Sequence, residues 1–152
     1  MEFLNELLKK INKKNIQIKG CTSEQIEHLL SIAGGKNLPK AYMEFMSIMG
    51  NGTDGQYMGG DSCFLNEIDD LKQGALELLE ENESKNVLTE NDFVFWISQG
   101  CMFCFFKLND GDNPPVYFYN ESGEDRFVRI AKSLVEFLIN RLDMNKNLFK
   151  EK

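Results

Sequence analysis

The chain has 152 residues, 42% of them hydrophobic and 27% charged, with a formal net charge of −7. That length suits one domain around one core, and the balance is that of a globular chain, not a disordered one. No apolar run approaches the roughly 18 to 20 residues of a membrane span. The start, MEFLNELLKKINKK, carries acids at Glu2 and Glu6 and no long apolar stretch, so it does not read as a signal peptide and the cytoplasm is the expected location.

The charge is unevenly spread. Residues 1–40 hold 4 acids and 7 bases, residues 41–125 hold 17 acids and 3 bases, and residues 126–152 hold 3 acids and 7 bases. An acidic middle argues against a nucleic-acid binder, which would show a basic stripe. It suits a basic partner protein, because complementary fields speed and orient encounter. A solvated acidic face that serves only solubility is the bland alternative.

In chain order, Phe3, Leu4, Leu7, Leu8 and Ile11 form a helical stripe over residues 2–12. Thr22-Ser23-Glu24-Gln25 reads as a capping box. The helix behind it carries Ile26, Leu29, Leu30 and Ala33 and stops at Gly34-Gly35. His28, the one histidine, falls off that stripe and is expected at the surface. Leu38-Pro39 opens the next helix, with Pro39 at its first position; Tyr42, Phe45, Met46 and Met49 are its core face and Gly50 its end.

The glycine-rich loop Gly50–Gly60 fails as a phosphate cradle. It lacks a Gly-Lys-Ser/Thr ending, follows a helix and contains Asp54. Its glycines predict positive φ in a mobile surface loop. Ser62–Leu65 is extended. Ile68, Leu71, Ala75, Leu78 and Leu79 then mark a helix from about Glu67 to Glu83 with an acidic outer face. Its N-terminal acids suit the helix dipole, whereas Glu80, Glu81 and Glu83 sit at the wrong end.

Three apolar runs follow, Phe93–Ser98, Cys101–Leu108 and Val116–Asn120, separated by Gln99-Gly100 and by Asn109–Pro115. Phe, Trp, Val, Ile and Tyr dominate them, so they predict three antiparallel strands joined by turns. Strict alternation puts Phe93, Phe95 and Ile97 on one face and Val94, Trp96 and Ser98 on the other. Both faces are apolar, so helices cover both or one is partly open. Phe127, Val128 and Ile130 lead into a last helix from about Ser133, and the polar segment 145–152 is expected to fray. The fold class is therefore α+β: one domain over 1–152, a mostly antiparallel central sheet flanked by helices.

The residues offer no chemistry of their own. Cys101 and Cys104 lie three apart on a strand, so their sulfurs diverge, and four converging zinc ligands are not in sight. Asp110 and Asp112 lack the rest of a calcium loop. No nucleophile–base pair stands out around His28, and carboxylate pairs such as Asp69-Asp70 or Glu80-Glu81 occur on any acidic surface. No catalytic residue, metal or cofactor is assigned, and a small enzyme is the weaker reading. The partner-binding candidates are the carboxylates of Asp54, Asp61, Asp70, Glu77, Glu80 and Glu81, taken as exposed. Helical spacing sets Glu77, Glu80 and Glu81 along one ridge.

The order of these signals resembles the SUKH (Smi/Knr-type) superfamily. The resemblance is carried by Leu38-Pro39-Lys40-Ala41-Tyr42-Met43-Glu44-Phe45 with Gly50-Asn51-Gly52, the aromatic strand Phe93–Ile97, and Phe103–Asp110. Pro115-Val116-Tyr117-Phe118-Tyr119 and Ser133-Leu134-Val135-Glu136-Phe137-Leu138 complete it. It covers about residues 20–142. Bacterial members are mostly immunity proteins that neutralise a cognate toxin, commonly a nuclease; eukaryotic members include regulators of cell-wall synthesis. The resemblance implies a non-catalytic protein that binds and blocks a cognate toxin, with a regulatory scaffold as the alternative; the acidic middle suits a basic toxin, and a cytoplasmic monomer is the expected form.

Overall fold

The computed structural model describes residues 1–152. Five antiparallel strands form one sheet in chain order: β1 (Asp61–Ser62), β2 (Asp92–Ser98), β3 (Met102–Lys107), β4 (Val116–Asn120) and β5 (Val128–Ala131). The helices are α1 (Asn5–Lys13), α2 (Ser23–Ile32), α3 (Lys40–Met49), α4 (Ile68–Glu81) and α5 (Leu134–Leu142). The α+β class and the three expected strands are present. The turn between β2 and β3 has Gln99 at φ 54° and Gly100 at φ 69°, the two positive values that match a hairpin turn to strand twist.

One bulge rearranges the faces of β2. Val94 pairs with Phe105 and Trp96 with Cys104, so Phe95 is the extra residue. Phe95 and Trp96 therefore both reach Phe137 of α5, at 5.5 and 6.0 Å between ring centroids. Strict alternation thus fails: Trp96 joins the face of Phe93, and Ile97 moves to the face of Val94. On that first face Tyr42 of α3 packs edge-on against Phe93 and Phe95, beside Phe106. Next to these, α1 lies against α5 and α2 against α3.

The second face is covered as well. α4 lies over β2, close enough that a Cβ on Gly74 would stand 3.2 Å from Ile97 Cδ1. Beyond α4, Phe127 folds back edge-on over Phe103, Phe105 and Tyr119. Trp96, Phe103 and Phe105 are buried, while Tyr117 is half-buried with the Lys107 ammonium 5.2 Å from its ring centre.

Capping explains the helix starts. Thr22 Oγ1 accepts from Gln25 N at 3.2 Å and Gln25 Oε1 accepts from Thr22 N at 2.9 Å, the expected box. Ser133 Oγ accepts from Glu136 N at 3.1 Å. The free amides ahead of α1 have no local cap; Glu44 of α3 accepts from Phe3 N at 2.9 Å and Leu4 N at 3.2 Å. Pro39 is the N-cap of α3, with ψ of 139°, one residue earlier than expected. The Asp112 carbonyl accepts from Ala41 N at 2.9 Å, so the β3–β4 connection closes that helix end.

Three further expectations need correction. Val128–Ala131 is a full strand, not a lead-in, and its short polar-flanked run hid it. The Gly50–Gly60 loop has the expected positive φ at Gly52, Gly55 and Gly60, yet it is pinned: Tyr57 and Met58 are buried and Tyr57 OH donates to the Leu138 carbonyl at 2.8 Å. Residues 145–152 pack back onto the fold and do not project as a free tail. Leu148 is buried and Lys152 N donates to the Arg129 carbonyl at 2.8 Å.

Candidate partner-binding surface

The exposed side of α4 follows from its stripe. Ile68, Leu71, Ala75, Leu78 and Leu79 point at the sheet, which turns Asp70, Glu77, Glu80 and Glu81 to water. Lys72 is the only base on the helix. Its ammonium is drawn away from the ridge, donating to the carbonyls of Thr89 and Asp92 at 2.6 Å each. Burial pushes its pKa down.

The end of α4 is built against stability. Glu83 N bonds to the Glu80 carbonyl and Ser84 N to the Leu79 carbonyl, a Schellman closure that puts Glu83 at φ 51°. Glycine ordinarily takes that place; a side chain there costs about 1 kcal/mol. Three carboxylates at the negative helix end add a few tenths of a kcal/mol per like-charged pair.

Asp125 fastens a second acidic segment beside this helix end. Its carboxylate accepts from Ser84 Oγ at 2.5 Å, Lys85 N at 3.1 Å and Tyr119 OH at 3.2 Å, and Asn82 Nδ2 also donates to Tyr119 OH. These donors, the Ser84 hydroxyl above all, hold the Asp125 carboxyl below the usual carboxylate range. Exposed Glu121 and Glu124 therefore belong to the same region as Glu80, Glu81 and Glu83, although Glu124 is paired with Arg126 at 2.7 Å. Sequence reasoning missed this segment; its signal was a run of acids in the turn after β4.

Asp61 is not part of the exposed surface. Its side chain is 3% exposed, and Oδ2 accepts from Trp96 Nε1 at 2.9 Å and pairs with the Arg141 guanidinium at 2.9 and 3.0 Å. It ties β1 to β2 and α5. Asp54 is exposed but bonded to Gln17 N and Gln56 N at 3.2 Å, holding its own loop, and shares no element with the ridge. The candidates gathered on one element are Asp70, Glu77, Glu80 and Glu81.

Other spaces offer less chemistry. A cleft of about 280 Å³ lies between the end of α2 and the start of α4, flanked by Lys36, Lys72 and Asp92. Both lysines already donate to protein oxygens, Lys36 to Asn91 Oδ1 at 2.6 Å. His28 is exposed as expected and pairs with Asp69 at 2.7 Å, but the neighbouring Ser31 hydroxyl donates to a backbone carbonyl. Burial raises the pKa of Cys21, Cys63 and Cys104, which keeps those thiols protonated and poor nucleophiles at neutral pH. No three His, Cys, Asp or Glu side chains converge to hold a metal ion, and no helix is long and apolar enough to cross a membrane.

The SMI1 / KNR4 family (SUKH-1) matches residues 20–140, from just ahead of α2 to within α5. No curated protein matches the chain.

Proposed function

The chain belongs to the SMI1 / KNR4 family (SUKH-1), and from that membership and the α4 ridge we propose that it is an immunity protein. It binds a basic protein toxin of the nuclease type in the cytoplasm, as a monomer, and blocks it by occlusion without chemistry of its own. The observation that carries the reading is the end of α4. Glu80, Glu81 and left-handed Glu83 are kept where helix stability favours a cation and a glycine. Such local cost is characteristic of surfaces shaped for binding. Complementary charge steers encounter with a basic partner and disfavours acidic ones.

The test is co-expression with a toxic protein, sought first among the reading frames beside this chain's own. A one-to-one complex that restores growth while leaving the toxin chemically intact is expected. Toxin recovered cleaved or modified would replace occlusion with an enzymatic reading, and free, active toxin would remove the immunity reading altogether.

A further inference from the structure

The last segment, Asn145–Lys152, does two things at once. Its Phe149 ring stacks on Phe118 at 4.7 Å and leans on Trp96 at 5.6 Å, across the part of the first sheet face that α5 leaves open. Its end lies along the outer edge of β5. Lys152 N donates to the Arg129 carbonyl, Arg129 Nε donates back to the Lys152 main-chain oxygen at 2.9 Å, and Arg126 pairs with Glu151 at 2.5 Å.

Leu148 is buried like the core, but the seat of Phe149 is looser. Phe149 is 36% exposed, whereas Phe137 on the same face is fully buried. Cavities of about 360 Å³ and 290 Å³ lie on either side of the ring and share it as a wall. Most of the polar contacts of the segment are at the surface, where water replaces them on opening. The connection to α5 passes through Met144 at φ 53°, a left-handed side chain that extension would relieve.

We propose that residues 145–152 are a displaceable strap seated in a peptide-binding groove. The ligand the groove takes in exchange is an extended segment with an aliphatic–aromatic pair flanked by lysines. The strap supplies the template: Leu148-Phe149 between Lys146 and Lys150, with Lys152 beyond. The aromatic fills the slot between Trp96 and Phe118, and the main chain adds to the free edge of β5.

The experiment uses the full chain with Phe149→Ala, which empties the slot, and a synthetic peptide of residues 145–152. Trp96 is the only tryptophan, so its emission reports the slot alone. Emission of the variant is expected to shift to the red and to return on adding the peptide. The parent, whose slot is already filled at high effective concentration, should bind the peptide at least about tenfold more weakly, as should the variant when the peptide carries Ala in place of Phe. No peptide binding to a folded variant overturns the proposal, as does equal binding to parent and variant. A variant that loses its fold also overturns it, because the segment is then core. Amide exchange in the unaltered parent is the second measurement: Leu148–Lys152 should exchange at least about tenfold faster than β2 and β3, and equal protection contradicts a detachable strap.

Discussion

Asp61→Ala is expected to destabilise the fold by about 3 kcal/mol, at the lower end of the range for removing one partner of a buried ion pair. The carboxylate is nearly inaccessible, and its loss strands two donors: the Trp96 indole N–H and the Arg141 guanidinium. Arg141 is 23% exposed and recovers part of its hydration, which sets the lower end. Asp61→Asn keeps an acceptor for Trp96 but not the charge, so it should cost less than the alanine variant. Chemical denaturation checks the order parent, Asn, Ala. A parental midpoint for Asp61→Ala would mean that the pair contributes no net stability.

Phe105→Ala is expected to cost about 3 to 5 kcal/mol, the usual range for truncating a buried aromatic. Phe105 is 1% exposed and lies between the rings of Tyr117, at 5.4 Å, and Phe127, at 4.9 Å. Its neighbours hang from two strands and a loop, so they cannot collapse together into the space. Against a typical total of about 5 to 15 kcal/mol this is a large fraction. Val87→Ala is the matched control: Val87 is 75% exposed, and its truncation should stay within about 0.5 kcal/mol. Equal melting of Phe105→Ala and parent would refute the packing of the second sheet face.

The central strands were legible because their aromatic runs are cut cleanly by Gln99-Gly100 and Asn109–Pro115, and the capping box because its two bonds are local. The bulge at Phe95 was not. Phe93 to Ile97 are apolar without a break, so a one-residue slip leaves no mark in a pattern that contrasts polar with apolar. Asp61 was misplaced for a different reason: its partner Arg141 lies 80 residues away, and an isolated acid beside a glycine loop reads as exposed. Tyr57-Met58 and Leu148-Phe149 were the overlooked signals. Each is an apolar pair inside a polar or glycine-rich stretch, and each anchors a segment read as mobile. On the candidate surface, helical spacing alone located Glu77, Glu80 and Glu81. The contribution of Glu121 depended on the Asp125 contacts to Ser84 and Lys85, about 40 residues apart in sequence, which no local pattern carries.

The most direct test of the acidic ridge as the recognition surface is the association rate with the cognate toxin found by co-expression, measured across a salt series. Parent and a triple variant, Glu77→Lys with Glu80→Lys and Glu81→Lys, are compared. All three side chains are exposed, so thermal stability should hardly change. At low salt the variant should associate at least about tenfold more slowly, because three reversals invert the local field that steers a basic partner. The deficit should shrink as the Debye length falls from about 10 Å at 0.1 M salt to about 3 Å at 1 M. Equal rates at low salt would contradict the account and leave the acidity of α4 to solubility alone.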